Sequence, residues 1–158
     1  MKAILAKIWK FLHLPKNFQL FLMRVLQDQF LIGVTGVFFN DKNEVLVFKH
    51  TYRQTSWSLP GGYLKGGEHP KEGLERETKE ESGLIVSADE KLKTRTDRET
   101  ARLDISYMGK FLGGEFTPST EVVEYDFFAF ENLPLISNSQ LLLIKQALDK
   151  IKQSPLSK

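Results

Sequence analysis

Three glutamates at positions 77, 80 and 81 have the residue type and spacing best suited to chemistry in this sequence. On a helix they stand at i, i+3 and i+4, so their carboxylates project from one face. Like charges at this spacing repel each other by about 0.2–0.5 kcal/mol per pair. A divalent cation relieves that repulsion, and hard cations such as Mg²⁺ prefer carboxylate and carbonyl oxygens. The pattern indicates either a cation site or a solvated acidic face.

The residues around the glutamates predict a short helix next to a glycine-rich turn. Pro70 suits the first helical position, and Gly83 suits the left-handed residue that ends a helix. Glycines at 61, 62, 66 and 67 permit tight turns, so that a main-chain carbonyl could join the ligands of a cation. Gly73 inside the helix costs about 1 kcal/mol relative to alanine, and close packing on the sheet is one explanation.

The stretch 62–84 resembles the Nudix box of the Nudix hydrolases at every fixed position. Gly62 is followed after five residues by Glu68, and after seven more by the run 76–81, RETKEE, with Gly83-Leu84 one residue later. Thr78 takes a position that is usually more apolar. A weaker similarity extends from about Gly33 through the segment VVEYDFFAFENLP.

This resemblance implies an α/β protein with the Nudix fold, an α/β/α sandwich around a mixed β-sheet, here with an added N-terminal helical segment. It also implies hydrolysis of a diphosphate bond in a nucleoside diphosphate derivative, by water attack on phosphorus. Mg²⁺ is the implied cofactor, with Mn²⁺ as the other candidate.

The resemblance assigns roles by position. Glu77, Glu80, Glu81 and the carbonyl of Gly61 would be metal ligands. Either Glu77 or Glu81 would also be the base that activates water, and both assignments stay open. Arg76 would orient the glutamates and Glu68 would brace the loop, as metal ligands need to be held in place.

Three residues outside the box are further candidates. Glu121, in the loop before a predicted strand, would contact metal or act as the base; the alternative is a surface charge at a strand edge. Arg53 and Arg95 would bind substrate. For Arg95 the alternative is a solvated hairpin with ion pairs, since acidic and basic residues mix around it.

The substrate class is less sharply indicated than the chemistry. No proline stands at 99 or 100 and no tyrosine at 101 or 102, where some subgroups of the family have them. Nucleoside triphosphates (the favoured class), nucleotide sugars and RNA 5′ ends remain. Two alternatives are a non-catalytic nucleotide-sensing module and a membrane-associated hydrolase of a lipid-linked diphosphate; the complete set of box glutamates favours an enzyme.

The elements predicted around the box are strands on both sides and a closing helix. LIGVTGVFF and EVLVFKH form a hairpin around the turn at 40–43, two longer strands join near 97–100, and VVEYDFFAF is a further strand. A last helix spans SNSQLLLIKQALDKI, capped by Ser137 or Ser139.

Residues 1–30 are expected to form an amphipathic helical extension, with helices at 3–12 and from Phe18 to Leu26. Five Lys or Arg and one Asp make this segment basic. Two interpretations are open: the helices pack on the catalytic domain or on a partner subunit in a homodimer, or they touch an anionic membrane surface. Residues 31–153 would be the Nudix domain, and 154–158 a disordered tail.

Composition sets broad limits on the remaining functions. The sequence has no cysteine, which excludes disulfides, thiolate metal sites and cysteine nucleophiles. A net charge of +2 gives no strong signal for nucleic acid. The partner that the resemblance implies is a small nucleotide, with RNA 5′ ends left open. No apolar run reaches the roughly 18 residues that span a bilayer, and we expect a cytoplasmic protein.

Overall fold

The computed structural model describes residues 15–51 and 56–153, and the chain divides into two units, Met1–Phe30 and Leu31–Lys158. In the first unit, helix α1 spans Lys16–Leu26 and begins directly after Pro15. The second predicted N-terminal helix is therefore present. The prediction for residues 3–12 lies outside the described residues, and so does the predicted tail at 154–158.

One mixed sheet forms the body of the second unit. Its strands are β1 Leu31–Phe39, β2 Val45–His50, β3 Trp57–Ser58, β4 Gly61–Tyr63, β5 Leu84–Asp97, β6 Arg102–Gly114 and β7 Val122–Phe128. The order is β3-β2-β1-β6-β5, with β4 paired to β1 and β7 to β2. β1 and β6 run parallel, while the other pairs are antiparallel.

Two helices lie on opposite faces of this sheet: α2, Pro70–Ser82, and α3, Asn138–Gln153. Side chains alternate between the faces of a strand, and β1 follows that rule. Phe38 packs in one cluster with Leu74 of α2, whereas Val37 packs in another with Ile144 of α3. The predicted α/β/α sandwich is confirmed.

Both predicted hairpins are present, and side chains fix their turns. Asn40 Oδ1 accepts hydrogen bonds from the N–H groups of Lys42 and Glu44, each at 2.9 Å. Asp97 Oδ1 accepts from the Glu99 N–H at 3.1 Å in the turn between β5 and β6. A short 3₁₀ turn, Phe130–Asn132, follows β7.

Strand β4 was not predicted, because its sequence Gly-Gly-Tyr is typical of a turn. It forms because β1 offers an antiparallel partner, with Val34 opposite Gly62. This pairing holds the start of the box against the centre of the sheet.

Candidate active site

Helix α2 carries the box glutamates (Glu77, Glu80 and Glu81), and both of its ends are fixed. His69 caps the first turn, with Nδ1 accepting from the Lys71 N–H at 3.4 Å, and Pro70 follows as the first helical residue. Gly83 ends the helix with φ of 74°, a left-handed conformation that favours glycine. Beyond it, the Thr117 N–H donates to the Ser82 carbonyl at 2.9 Å.

The buried side of α2 combines one large apolar side chain with two hydroxyl groups. Leu74, Thr78 and Ser82 are fully buried. The Thr78 hydroxyl donates to the Leu74 carbonyl at 2.8 Å, and the Ser82 hydroxyl donates to the Thr78 carbonyl at 2.6 Å. Each buried hydroxyl thus has a partner inside the helix, which explains how threonine fits a position that is usually more apolar.

Arg76 joins the loop before α2 to two of the box glutamates. Its Nε and Nη2 bind the two carboxylate oxygens of Glu68 at 2.6 and 2.9 Å, a bidentate pair. Its Nη1 donates to Glu77 at 2.6 Å and to Glu80 at 2.8 Å. The Arg76 side chain is only 20% exposed, so one guanidinium fixes three carboxylates in a partly buried setting.

This network shifts the pKa values of Glu68, Arg76 and Glu80 toward their charged forms. Hydrogen bonds from the Arg76 side chain, and then from the Lys65 N–H, lower the pKa of Glu68 from 4.5 to about 2. The pKa of Glu80 is lowered by Lys65, whose Nζ lies 3.2 Å from its carboxylate, and by Arg76. Glu68 in turn raises the pKa of Arg76.

Gly62 brings β4 directly against a box glutamate. A methyl group at its Cα would lie 2.3 Å from Glu77 Oε2, so any larger residue there would require the Glu77 side chain to move. Hydrogen bonds from the Leu64 N–H to Ile32 and from the Gly36 N–H to Pro60 bracket the β4–β1 pairing. Val34 and Gly62 are then the hydrogen-bonded pair, and the alternation of an antiparallel ladder directs the carbonyl of Gly61 away from β1.

The predicted reason for Gly73 needs a correction. A methyl group at Gly73 would lie 2.2 Å from the Leu64 side chain and 2.8 Å from Glu68 Oε2. The close packing is therefore against the loop that leads into the helix, and not against the sheet. This contact brings Glu68 within reach of Arg76.

The donor set on this helix face suits a hard divalent cation. Three carboxylates on one face and an outward-directed carbonyl are oxygen donors of the kind that Mg²⁺ and Mn²⁺ prefer. Within residues 15–51 and 56–153, no three acidic or histidine side chains already converge to hold an ion. Glu77 and Glu80 face Arg76 instead, so binding a cation requires their side chains to turn.

A two-part cleft lies beside the box. The glycine cavity, about 170 Å³, is lined by Gly61, Gly62 and Tyr63. The arginine cavity, about 210 Å³, is lined by Lys93, Arg95 and the first turns of α3. Both cavities are lined by four further residues: Thr35, Arg102, Asp104 and Gln140. The cleft therefore extends from Gly61, one of the proposed metal ligands, to Arg95.

Sequence reasoning did not select Arg102 or Asp104, which are central to this cleft. Arg102 Nε and Nη2 pair with the Asp104 carboxylate at 2.8 and 3.0 Å. Asp104 and, after it, Tyr63 raise the pKa of Arg102 through hydrogen bonds. A signal was present: Arg102, Asp104 and Ser106 alternate with Leu103 and Ile105 in β6, so polar side chains point to the face that α3 covers.

The other predicted site residues are placed as follows. Arg95 lines the arginine cavity, and Arg53 lies outside the described residues. Glu121 is exposed in the loop before β7, where its carbonyl accepts from the Thr51 N–H at 3.3 Å. The catalytic role of Glu121 stays a prediction.

Comparison with known proteins supports the class that the fold and the box define. The NUDIX domain family profile matches residues 29–147. The ADP-ribose pyrophosphatase of Methanocaldococcus jannaschii is 30% identical over 120 residues, which cover 72% of this chain and 70% of that protein. The human 8-oxo-dGDP phosphatase is 33% identical over 90 residues, 56% of this chain but 28% of that protein.

Solved structures share the fold. An ADP-ribose pyrophosphatase from Streptococcus suis has a TM-score of 0.64 at 26% identity, covering 76% of this chain and 92% of that one. A UDP-X diphosphatase has a TM-score of 0.69 at 21% identity, covering 87% and 73%. This is a Nudix domain. The chain belongs to the Nudix hydrolase family and is a Nudix pyrophosphohydrolase, an enzyme that cleaves diphosphate bonds in nucleotides.

Members of this family generally use divalent metal ions. Among the described helices, none is long and apolar enough to cross a membrane.

Proposed function

We propose that this chain hydrolyses the diphosphate bond of a nucleoside diphosphate that carries a further group, and that it requires Mg²⁺, with Mn²⁺ able to replace it. The observation that carries this proposal is the position of the box glutamates beside a polar cleft. Two of the glutamates are fixed by Arg76, and Gly62 lies against Glu77. The two cavities of the cleft have room for the part of the substrate that is attached to the diphosphate.

The proposed roles are those that the resemblance to the Nudix box assigns by position. Glu77, Glu80, Glu81 and the Gly61 carbonyl hold the cation, which supplies positive charge to offset that of the diphosphate. Either Glu77 or Glu81 takes the proton of the attacking water, with Glu121 as a further candidate base. The oxygen of that water bonds to phosphorus as the bond from phosphorus to the bridging oxygen breaks. Arg76 and Glu68 keep the glutamates oriented, and Arg53 and Arg95 bind substrate.

Replacing Glu81 with glutamine tests the enzyme mechanism. The change keeps the shape of the side chain and removes its charge, so we expect kcat to fall by about 10²–10⁴-fold. Phosphate or nucleotide release with Mg²⁺ is the measurement. Glu72→Gln is the matched control, since Glu72 is an exposed glutamate on the same helix, and it should behave as wild type.

Chelation of metal completes this test. EDTA should abolish turnover by the wild-type chain, and added Mg²⁺ or Mn²⁺ should restore it. Unchanged turnover in Glu81→Gln, or turnover that resists EDTA, would contradict the mechanism. Ligand binding with no turnover in the wild-type chain would instead favour a nucleotide-sensing module.

A substrate screen with product identification tests the finer assignment. Nucleoside triphosphates are the class predicted from the sequence, while ADP-ribose is suggested by the name of a relative. Nucleotide sugars and capped or triphosphorylated RNA 5′ ends complete the set. The preferred class is the one with the highest kcat/KM under Mg²⁺, and the products show which bond to phosphorus breaks.

A further inference from the structure

The face of the sheet that α3 covers changes from apolar to polar side chains toward one end. Toward the 40–43 turn it carries apolar side chains such as Val37 and Phe39, packed with Ile144. Toward the arginine cavity the same face carries two polar rows. One row aligns Thr35, Ser106 and Lys93 across β1, β6 and β5, and the other aligns Gly33, Asp104 and Arg95.

These rows form the polar floor of the arginine cavity. Ser106 is buried at 6% exposure, and a methyl group on Gly33 would lie 2.6 Å from Asp104 Oδ1. A bulge in β5 between Lys91 and Lys93 brings Lys93 into this cavity, although its neighbour Leu92 packs under α3. Ser106 is the buried member of this floor, whereas Lys93 and Arg95 are exposed and therefore accessible to a ligand in the cavity.

Charge in the cavity is unbalanced. Three cationic side chains line it, Lys93, Arg95 and Arg102, against the single carboxylate of Asp104. Asp104 is held by Arg102 through a hydrogen bond from Nη2 at 3.0 Å and a close ion contact with Nε at 2.8 Å. Within the described residues Lys93 and Arg95 form no ion pair, and the carboxylate of Asp104, which lies opposite Arg95 in the sheet, is already paired with Arg102.

The amino-terminal end of α3 adds to this positive field. Ser139 and Gln140 from its first turn line the cavity, and no acidic residue lies in that turn. Ser137 caps the helix by accepting from the Gln140 N–H at 3.4 Å. The aligned peptide dipoles of a 16-residue helix place partial positive charge at this end.

We propose that the arginine cavity is an anion site that selects substrates with a second negatively charged group, remote from the scissile diphosphate. Lys93 and Arg95 bind that group, a carboxylate or a phosphate. The proposal rests on the function proposed above and narrows its substrate class: a diphosphate with an acidic substituent is preferred over its neutral counterpart.

Two matched pairs of α,β-methylene analogues test this selection, because their P–C–P bridge resists hydrolysis. In the first pair, UDP-glucuronate and UDP-glucose analogues differ by one carboxylate on the sugar. In the second, ADP-ribose analogues differ by one phosphate on the adenosine ribose. Calorimetry with the full chain in Mg²⁺ gives each Kd, and the pair that responds shows which half of the substrate enters the arginine cavity.

In at least one pair, the acidic analogue should bind the wild-type chain at least about tenfold more tightly, as expected for a charge-assisted hydrogen bond. The double variant Lys93→Gln, Arg95→Gln should bind both members equally, whereas Arg95→Lys should keep most of the preference. Lys145→Gln, which removes an exposed charge from α3 outside the cavity, should match wild type.

Equal Kd values within both pairs for wild type would overturn the proposal, as would a preference that persists in the double variant. Absence of binding by all four analogues would overturn it too. Hydrolysis of unmodified UDP-glucose and ADP-ribose is measured in parallel. Metal-dependent turnover without charge preference would leave the proposed function standing, while loss of turnover on every diphosphate would count against that function itself.

Discussion

Arg76 is the residue on which the arrangement of the box carboxylates depends. One guanidinium binds Glu68, Glu77 and Glu80 at 2.6–2.9 Å. Without it, the partly buried carboxylates of Glu68 and Glu77 and the exposed one of Glu80 would repel one another. Its planar fork explains why lysine would be a poor replacement, since an ammonium group cannot make the bidentate contact with Glu68.

Gly62 controls the position of Glu77. In Gly62→Ala the new methyl group would overlap the Glu77 carboxylate, which must then move. If Glu77 is a metal ligand, we expect Mn²⁺ affinity and kcat to fall by about 10–100-fold, as found when ligand orientation is lost. Mn²⁺ titration by EPR and steady-state kinetics are the measurements.

Gly66→Ala is the matched control for this change. No atom lies within 4 Å of the position its methyl group would take. It should bind Mn²⁺ and turn over substrate as wild type does. Wild-type Mn²⁺ affinity in Gly62→Ala would contradict the assignment of Glu77 as a ligand.

Glu68 should make stability depend on pH in the acid range. Its pKa is lowered from 4.5 to about 2, so the folded state favours the ionised form. That contribution is fully present above pH 4.5 and is lost as the pH falls toward 2. Comparison of Glu68→Gln with wild type by urea unfolding should show a destabilisation that is constant above pH 5.5 and shrinks between pH 4.5 and 2. A difference that does not change over this window would contradict the pairing with Arg76.

Helix α2 and the loop before it act as one packed element. Leu64 and Glu68 from the loop lie against Gly73, and Arg76 binds Glu68 across the same contact. The helix is thus held on one side by the loop and on the other by Leu74 in the core. Helix propensity alone disfavours glycine at position 73, so this contact with the loop is the reason for it.

Gly73→Ala should reverse the usual effect of such a change. In an open helix alanine is more stable than glycine by about 1 kcal/mol. Here the methyl group meets Leu64 and Glu68, and we expect destabilisation by about 1–3 kcal/mol, the usual range for overpacking. Urea denaturation measures it, with Gly66→Ala expected to be neutral or slightly stabilising. A more stable Gly73→Ala protein would contradict this prediction, because it would mean that Leu64 and Glu68 move to make room for the methyl group.

The elements that sequence patterns predicted well are those with local signals. The β1–β2 and β5–β6 hairpins follow from strand patterns on both sides of Asn- and Asp-containing turns, and α2 follows from Pro70 and Gly83. Strand β4 could not be predicted in this way. Its glycines form a strand because they pair with β1, about 30 residues away in sequence. Local strand propensity gives no information about such a distant pairing.

At the scale of the whole molecule, the box was predictable and the cleft was not. Fixed spacing between residues 62 and 84 identifies the carboxylate helix. The cleft is assembled from β1, β4, β5, β6 and the start of α3, so its residues come together only when the sheet has formed. Two local traces of it were present: Arg95, which was predicted to bind substrate and lines the arginine cavity, and the polar alternation in β6.

Removing residues 1–30 should leave hydrolysis within about threefold of the full chain. The proposed metal ligands and the cleft belong to the unit Leu31–Lys158, and the sandwich core belongs to it as well. Steady-state kinetics on the shortened chain, with circular dichroism to verify folding, is the measurement. A folded but inactive product would show that the N-terminal segment contributes to the site, as in a homodimer.

The same pair of chains tests the predicted membrane contact of residues 1–30. Sedimentation with anionic and with neutral vesicles separates a basic interfacial helix from simple packing on protein. If the membrane interpretation is correct, the full chain should bind anionic vesicles and not neutral ones. Removal of residues 1–30 should abolish that binding. Equal sedimentation of both chains would remove it.

The two fixed ends of α2 have a consequence for the thermodynamics of binding. His69 and Thr117 fix the helix at opposite ends, so its backbone entropy is already lost when the protein folds. If Glu77 and Glu80 are metal ligands, as proposed above, a cation then needs to order their side-chain rotamers as they leave Arg76, but not the backbone of the helix. Since that rotamer cost is about 0.5–1.5 kcal/mol for each side chain, most of the interaction energy remains available for affinity.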